Sequence, residues 1–472
     1  MADIIQIGAI NGTDKPVSDV GILGLEFYFP KSYVCQSDLE LFDEVGPGKY
    51  TIGLGQSEMA FCKDNEDVCS MALTVTSALL KNYKINPNSI GFLEVGTETL
   101  VDKSKSVKTV LMDLFCENCD IEGADSKNAC FGGTQALFHA VDWIYANFDT
   151  EKRLAIVVCL DISVYAKGPA RPTGGAGALA FLIGPDAPIS LERGLRGCYA
   201  KHVYDFYKPV AGPSTEYPSV NGQKSLELYL TALDVTYALY QNKCQKLMGE
   251  ERSVADFLAI FFHSPFTKLV HKAFARLTFT DFQQNKLLHT LLKTADLEHF
   301  KDCKLDETFS REFSTATVKA SQPLIEEKLD LYLEFNRKLG NMYTPSVYAQ
   351  LLNFIQNHPK SEELDSQNIL LFSYGSGCIA SMFSLRFNTS IQSQRSAYSE
   401  MHNAANRAYT RLGERNKQTA EEFTAALKTR EELISATGAV VPSSAADDLF
   451  PGTYYLTHID ALSRRYYDQV NS

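Results

Sequence analysis

An α/β protein built from two related halves is predicted by three features of the sequence. Strand-like and helix-like segments alternate through the first half. The strand-like ones are continuous apolar runs of the kind buried on both faces of a sheet. Two strand-and-turn patterns from the first half then recur in the second, in the same order. With 472 residues, 45% hydrophobic and 22% charged, the chain is globular and long enough for two halves fused around one interface.

The segments follow in order. "VGILGLEFYF" is a strand. "DVCSMALTVTSALL" is a helix with Met71, Val75, Ala78 and Leu79 on one face. "SIGFLEVG" is a buried strand. In "NACFGGTQALFHAVDWI", Leu137, Ala140, Val141 and Ile144 keep helical spacing, so a helix starts around Thr134. "RLAIVVCLDI" and "GALAFLIG" are further buried strands. In the second half "DFLAIFFHSPFTK" is an apolar strand ending in a polar turn, as "SIGFLEVGTET" is. "SYGSGCIASMFSL" is a Gly-rich turn entering a strand, as "PTGGAGALAFLI" is. Residues from about 280 to 340 are helical and charged. Those from about 394 to 439 are polar and helix-forming, with Thr419 and Glu422 spaced as a capping box. Both stretches are expected as insertions on the duplicated core. "VVPSSAADDLFPG" is a loop and "GTYYLTHID" a closing strand. The halves are expected over 17–190 and 191–472.

Composition excludes several functions. A net charge of −12 argues against nucleic acid as a partner. Eleven cysteines show no regular spacing. "CENC" (Cys116 and Cys119) is a lone CxxC without a second pair or a nearby histidine, so no metal site is expected. "MADIIQIGAINGTDKPVSDVG" has neither the basic-then-apolar pattern of a secretory signal nor an Arg-rich amphipathic one, and no apolar run reaches membrane-spanning length. A soluble, reduced, cytoplasmic protein that engages no membrane is expected.

The chemistry gathers at strand ends, where ligands bind in α/β sheets. Cys130 precedes a glycine pair and a helix start. A helix N-terminus stabilises a thiolate, and Gly132 and Gly133 would leave the sulfur open and permit a tight turn. On these residues alone, a nucleophile and a small buried cysteine are equally good readings. Glu98 lies in the turn "GTET" and His263 at the end of "AIFF". Singly, a strand-end histidine is more often structural and a turn glutamate solvated. Together the three supply the nucleophile, carboxylate and imidazole that acyl transfer with proton abstraction requires. Phe266, Leu269, Val270, Ala273, Phe274 and Leu277 form a core stripe. Lys268 and Lys272, one helical turn apart and off that stripe, read either as a solvated pair or as a phosphate clamp.

Seven motifs, "EVGTETLVDKSKSVKT", "NACFGGTQAL", "ARPTGGAGALAFLIGP", "YDFYKP", "FFHSPFTKLVHKAFAR", "GNMYTPSVY" and "PGTYYL", resemble those of eukaryotic-type 3-hydroxy-3-methylglutaryl-CoA (HMG-CoA) synthases, from about Val20 to the C-terminus. The resemblance implies the thiolase fold: two duplicated five-stranded α/β halves in an αβαβα arrangement, and a homodimer. It implies condensation of acetyl-CoA with acetoacetyl-CoA and water, with these thioesters as substrates and no cofactor. Cys130 would accept the acyl group, Glu98 act as acid/base, and His263 position and polarise acetoacetyl-CoA. The backbone N–H groups of Cys130 and Ser376 match the family's oxyanion hole. Substrate and CoA contacts would fall at Gly46, Pro47, Lys49, Pro169, Thr173, Ser225, Lys268, Lys272, Asn341 and Ser376. Asp161, Tyr165, Asp205, Phe206 and Tyr343 resemble supporting residues. Two positions depart from the family pattern. Phe131 stands where relatives commonly have tyrosine, and Pro169 where many have asparagine, so a phenol and a side-chain amide are lost.

Two other readings compete. A decarboxylating condensing enzyme of the same fold would use Cys130, His263 and Asn341, but needs no carboxylate base, so Glu98 discriminates. A catalytically dead CoA-ester binder would not need the intact Cys130, Glu98 and His263.

Overall fold

The computed structural model describes residues 16–209, 216–287, 292, 297–303 and 307–471. Positions 1–15 and parts of the helical stretch 280–340 lie outside the described residues.

Ten strands form one sheet: β1 Gly21–Tyr28, β2 Ile90–Gly96, β3 Asp125–Ser126, β4 Leu154–Ser163, β5 Gly175–Gly184, β6 Ile189–Leu191, β7 Gly197–Ala200, β8 Ala259–Phe262, β9 Asn368–Gly375 and β10 Ile379–Phe387. The order is β8-β9-β10-β6-β1-β5-β4-β2-β3, with β7 also on β10. Five strands lie within the first half and four within the second, and β6 straddles the boundary between them. The two sets are joined edge to edge, because Ser190 of β6 lies opposite Gly21 of β1 on one side and Arg386 of β10 on the other. The parallel strands β2 and β4 are buried along their whole length, which explains their unbroken apolar sequences.

Among the described residues, eight longer helices complete the fold: α1 Val68–Asn82, α2 Gly132–Glu151, α3 Gly222–Met248, α4 Thr267–Gln283, α5 Arg311–Lys328, α6 Tyr348–Asn357, α7 Gln392–Gly413 and α8 Ala420–Ser435. Asp67 opens α1 with a reciprocal cap to Ser70, and Asn221 caps α3. The Thr419–Glu422 capping box opens α8 as expected. Helices α2 and α6 lie between the halves. Thr134 of α2 is bonded to the Tyr348 hydroxyl of α6 at 2.8 Å and donates to Ser373 of β9 at 2.7 Å, while Phe138 meets Phe383 of β10 edge-on. That is the central helical layer of the αβαβα arrangement.

Two C-terminal segments pack on the first half. The polar stretch forming α7 covers a strand of the first half: Arg407 pairs with Glu26 and Arg411 bonds the Phe27 carbonyl. "GTYYLTHID" does not close the sheet. Tyr454–Ile459 pairs with Arg465–Gln469 in a separate hairpin. It is held on α1 because Arg465 and Tyr467 both bond the Asp67 carboxylate, at 2.7 and 2.9 Å.

Candidate active site

Cys130 sits just ahead of α2, which begins at Gly132, two residues earlier than its apolar spacing indicates. The glycine pair has a different purpose from the one expected. Neither residue has a positive φ, and both are buried. A Cβ on Gly132 would lie 2.7 Å from the Ser126 carbonyl oxygen, and one on Gly133 would lie 2.6 Å from Cys159 Sγ. A Cβ on Gly96 at the end of β2 would lie 2.3 Å from Gly133 Cα. The glycines therefore let the helix start press into the strand ends, bringing Cys130 beside the turn that follows β2.

That turn carries Glu98. The Cys130 thiol donates to Glu98 Oε1 at 3.3 Å, and both side chains are buried. The turn is fixed by Asp161 of β4, which has no exposed surface. Its Oδ1 accepts from Thr97 Oγ1, Glu98 N, Thr99 N and Thr99 Oγ1 at 2.8–3.0 Å. Its Oδ2 accepts from the N–H and hydroxyl of Thr344, at 3.1 and 2.7 Å, so Asp161 also anchors the loop before α6. Burial, then the Glu98 charge, pushes the Asp161 carboxyl up to about 6, against the Thr344 hydrogen bonds.

The electrostatics of Cys130 reverse the helix-dipole expectation. Burial pushes the thiol well above its ordinary value, and Glu98 and Asp161 push the same way, with Lys208 opposing them. The resting group is a thiol hydrogen-bonded to a carboxylate. His263 closes the site from the other half, at the end of β8. Its backbone N–H donates to the Phe372 carbonyl at 2.7 Å, and its carbonyl accepts from Tyr229 at 2.7 Å. Burial draws its pKa down to about 3, so the imidazole is neutral at pH 7.

A cavity of about 470 Å³ connects Cys130 with His263, and Tyr165, Pro169, Thr173, Phe206, Ser225, Asn341, Tyr343 and Ser376 from the expected set also line it, whereas Glu98 is not in its wall. Tyr165, Phe206 and Tyr343 pack edge-on around Cys130 with centroids 5.9–6.5 Å apart. The Asn341 carbonyl oxygen is occupied by Tyr343 N and Ser346 Oγ, leaving its NH₂ to the cavity. Asp205 accepts from Tyr374 Oη at 3.2 Å and Gly377 N at 2.9 Å, holding the turn that contains Ser376. The backbone N–H groups of Cys130 and Ser376 donate to no protein acceptor among the described residues. Pro169 lines the cavity without a side-chain amide, and Phe131 is buried at the α2 start.

Five expected contacts lie outside the cavity wall. Gly46, Pro47 and Lys49 are exposed, as are Lys268 and Lys272 on α4. They are nonetheless neighbouring elements. Lys268 N donates to the Leu54 carbonyl at 3.0 Å, tying the Gly46–Gly55 segment to α4 beside the wall that Leu54 and Leu269 supply.

Sequence reasoning missed Lys208, whose Nζ lies 3.2 Å from Glu98 Oε2. The signal was present in "DFYK". Phe206 and Lys208 are two residues apart in an extended segment, so they share a face, while Tyr207 between them is 43% exposed.

Comparison with known proteins gives a consistent result. A family model described as hydroxymethylglutaryl-coenzyme A synthase N terminal matches residues 16–188, and the corresponding C-terminal model matches 189–470. A Caenorhabditis elegans protein named hydroxymethylglutaryl-CoA synthase is 47% identical over 464 residues, covering 98% of this chain and 96% of its own. The cytoplasmic Gallus gallus enzyme of that name is 45% identical over 95% of this chain and 87% of its own. The mitochondrial Rattus norvegicus one is 44% identical over 96% and 90%. Among solved structures, MvaS in complex with 3-hydroxy-3-methylglutaryl coenzyme A superposes with a TM-score of 0.79 at 30% identity, covering 96% of this chain and 99% of its own. An HMG-CoA synthase complexed with CoA gives 0.73 at 23% identity over 96% and 100%, a likeness of fold.

Proposed function

Because the chain belongs to the hydroxymethylglutaryl-CoA synthase family, we propose that Cys130, Glu98 and His263 divide between them the steps of HMG-CoA synthesis. The enzyme is an acyltransferase that condenses acetyl-CoA with acetoacetyl-CoA and water, giving HMG-CoA and CoA, the step that feeds the mevalonate pathway.

The observation that carries the division of labour is the 3.3 Å contact between Cys130 Sγ and Glu98 Oε1, beside a cavity that His263 lines from the opposite half. In the first step Cys130 Sγ attacks the acetyl carbonyl carbon. Glu98 takes the thiol proton and returns it to the departing CoA thiolate, which leaves as free thiol with Glu98 again a base. The N–H groups of Cys130 and Ser376 stabilise the tetrahedral oxyanion. Glu98 then removes a proton from the acetyl methyl group, and the enolate carbon attacks the ketone of acetoacetyl-CoA. His263, neutral, donates a hydrogen bond to that ketone oxygen, and the proton that Glu98 took from the methyl group converts the resulting alkoxide into the tertiary hydroxyl. Water finally cleaves the Cys130 thioester and releases HMG-CoA. This chemistry calls on no cofactor beyond the CoA thioesters. Gly46, Pro47, Lys49, Pro169, Thr173, Ser225, Lys268, Lys272 and Asn341 are the proposed contacts for their acyl and CoA portions.

The same reading includes a homodimer and a cytoplasmic location. The latter is supported by eleven unpaired cysteines, which suit a reducing compartment.

The test is Glu98→Gln, with two assays on one variant. Acetyl-Cys130 should still form, more slowly because the thiol has lost its proton acceptor, as followed by mass spectrometry. Condensation should fall roughly a hundred- to ten-thousand-fold, the range that general-base catalysis supplies. Condensation at the wild-type rate would assign the proton abstraction to another group.

A further inference from the structure

The acid/base carboxylate has two oxygens, and the steps above use only one. Oε1 accepts the Cys130 thiol, whereas Oε2 lies 3.2 Å from Lys208 Nζ. Both partners of this ion pair are largely shielded, with side-chain exposures of 15% for Lys208 and 6% for Glu98. Among the described residues, Lys208 is the sole cation at ion-pair distance from Glu98.

The position of the ammonium is set by several independent constraints. The segment 206–207 pairs with Ser219–Val220, and its start is pinned because Asp205 bonds Tyr374, Gly377 N and, through its carbonyl, Asn221 N. Strand alternation turns Phe206 and Lys208 inward. The ammonium then rests 4.5 Å from the centroid of the Tyr343 ring and 5.8 Å from that of Phe206, which favour a cation on their faces. The other charged neighbour of Glu98, Asp161, repels it, and the hydrogen bonds on Asp161 come from uncharged donors. Without Lys208, two carboxylates and a thiol would share a buried site with no positive charge.

We propose that Lys208 is a positioning residue for the reaction: by holding Glu98 Oε2, it keeps Oε1 aimed at the sulfur and at the acetyl group the sulfur carries. The proposal rests on the reading of Glu98 as the proton acceptor. Lys208 takes no part in the bonds made and broken at the sulfur; it acts through the carboxylate. A lysine here, on a flexible stem over two aromatic faces, can follow the carboxylate as its charge changes during proton transfer.

The test compares Lys208→Met, Lys208→Gln and Lys208→Arg, each alone and with Glu98→Gln, in the full-length protein with thermal denaturation as the check on folding. Lys208→Met and Lys208→Gln should lower kcat for condensation about a hundred-fold, the cost of a misplaced catalytic group, with KM for acetoacetyl-CoA little changed. Lys208→Arg keeps the cation and should recover activity to within about ten-fold of wild type. In the Glu98→Gln background, changing Lys208 should cost nothing more, because the partner it acts through is already neutral. Full activity in both neutral variants would overturn the proposal. So would a fall in acetoacetyl-CoA saturation with kcat intact, a failure of arginine to rescue, or an undiminished loss in the Glu98→Gln background. Failure of the underlying reading looks different: Glu98→Gln itself would then condense at the wild-type rate, whatever stands at 208.

Discussion

Replacing Gly375 by alanine inserts one methyl group where the two halves meet at the reacting sulfur. A Cβ at this position would lie 2.4 Å from the Asn128 carbonyl oxygen, 2.7 Å from Phe131 N and 2.8 Å from Phe131 Cβ. Real Cβ contacts do not fall below 3.0 Å, so one of the two backbones must retreat by at least the difference of 3.0 and 2.4, which is 0.6 Å. No flexible side chain can absorb the shift, because two of the three atoms are backbone and the third is the Cβ of a buried phenylalanine. The backbones in question carry the N–H groups of Cys130 and Ser376, and Asn128 Nδ2 already spans them by donating to the Ser376 carbonyl at 3.4 Å. Overpacking of this kind costs about 1–3 kcal/mol in stability. Opening the oxyanion donors by more than half an ångström should slow acetylation of Cys130 by about ten- to a hundred-fold. The assay is quenched-flow mass spectrometry of the acetyl-enzyme, with thermal denaturation alongside. Gly413→Ala is the control, since a Cβ there meets nothing within 4 Å. If Gly375→Ala acetylates at the wild-type rate with unchanged Tm, the pairing of those two N–H groups is wrong.

The remaining predictions are shorter. Cys130→Ser should abolish acetyl-enzyme formation and synthesis, because a hydroxyl is a far poorer nucleophile than a thiol here; product analysis decides it. His263→Ala should leave acetylation partly intact while sharply weakening saturation by acetoacetyl-CoA, seen as a rise in KM; loss of acetylation with normal acetoacetyl-CoA binding would make His263 the base for the thiol. The buried His263 also has a pH signature. Its folded pKa of about 3 lies below the ordinary histidine value of 6.5, so between those limits the unfolded chain binds more protons and stability falls as pH falls. His263→Gln should therefore lose less Tm than wild type between pH 6.5 and 4, in thermal melts across that range. Thr419→Ala removes the α8 cap, which accepts Glu422 N at 3.1 Å, and should cost about 1 kcal/mol of stability in denaturant titrations while leaving condensation unchanged.

Much of this site was legible because its main groups sit where chain geometry concentrates chemistry. Glu98 and His263 follow strand ends and Cys130 precedes a helix, so local pattern gathered them as candidates and the family motifs gave them roles. The buried strands were equally plain, since β2 and β4 are apolar throughout. What the sequence hid depended on distant partners. The glycine pair at 132 and 133 looked like a way of opening the sulfur, but its cause is the close approach of Ser126 and Cys159. The thiol's upward shift follows from burial beside Glu98 and Asp161, which outweighs the helix start that suggested a thiolate. Lys208 is separated from Glu98 by 110 positions, and no local periodicity links them. The strand Arg465–Gln469 was missed because its side chains alternate between half-exposed and exposed, with no apolar face to mark it.

Among the described residues, Asp161 accepts on one oxygen only from the turn of the first half and on the other only from Thr344 of the second. Catalytic competence is thereby made contingent on docking. Until the second half arrives, one oxygen of that carboxylate faces no donor, and the seat of the loop bearing the base is only half built. Neither duplicate retains a private workshop that could run at reduced output. Inheritance of the two copies is consequently locked: each can drift at its periphery, but a change that alters how they meet is read at once as lost turnover.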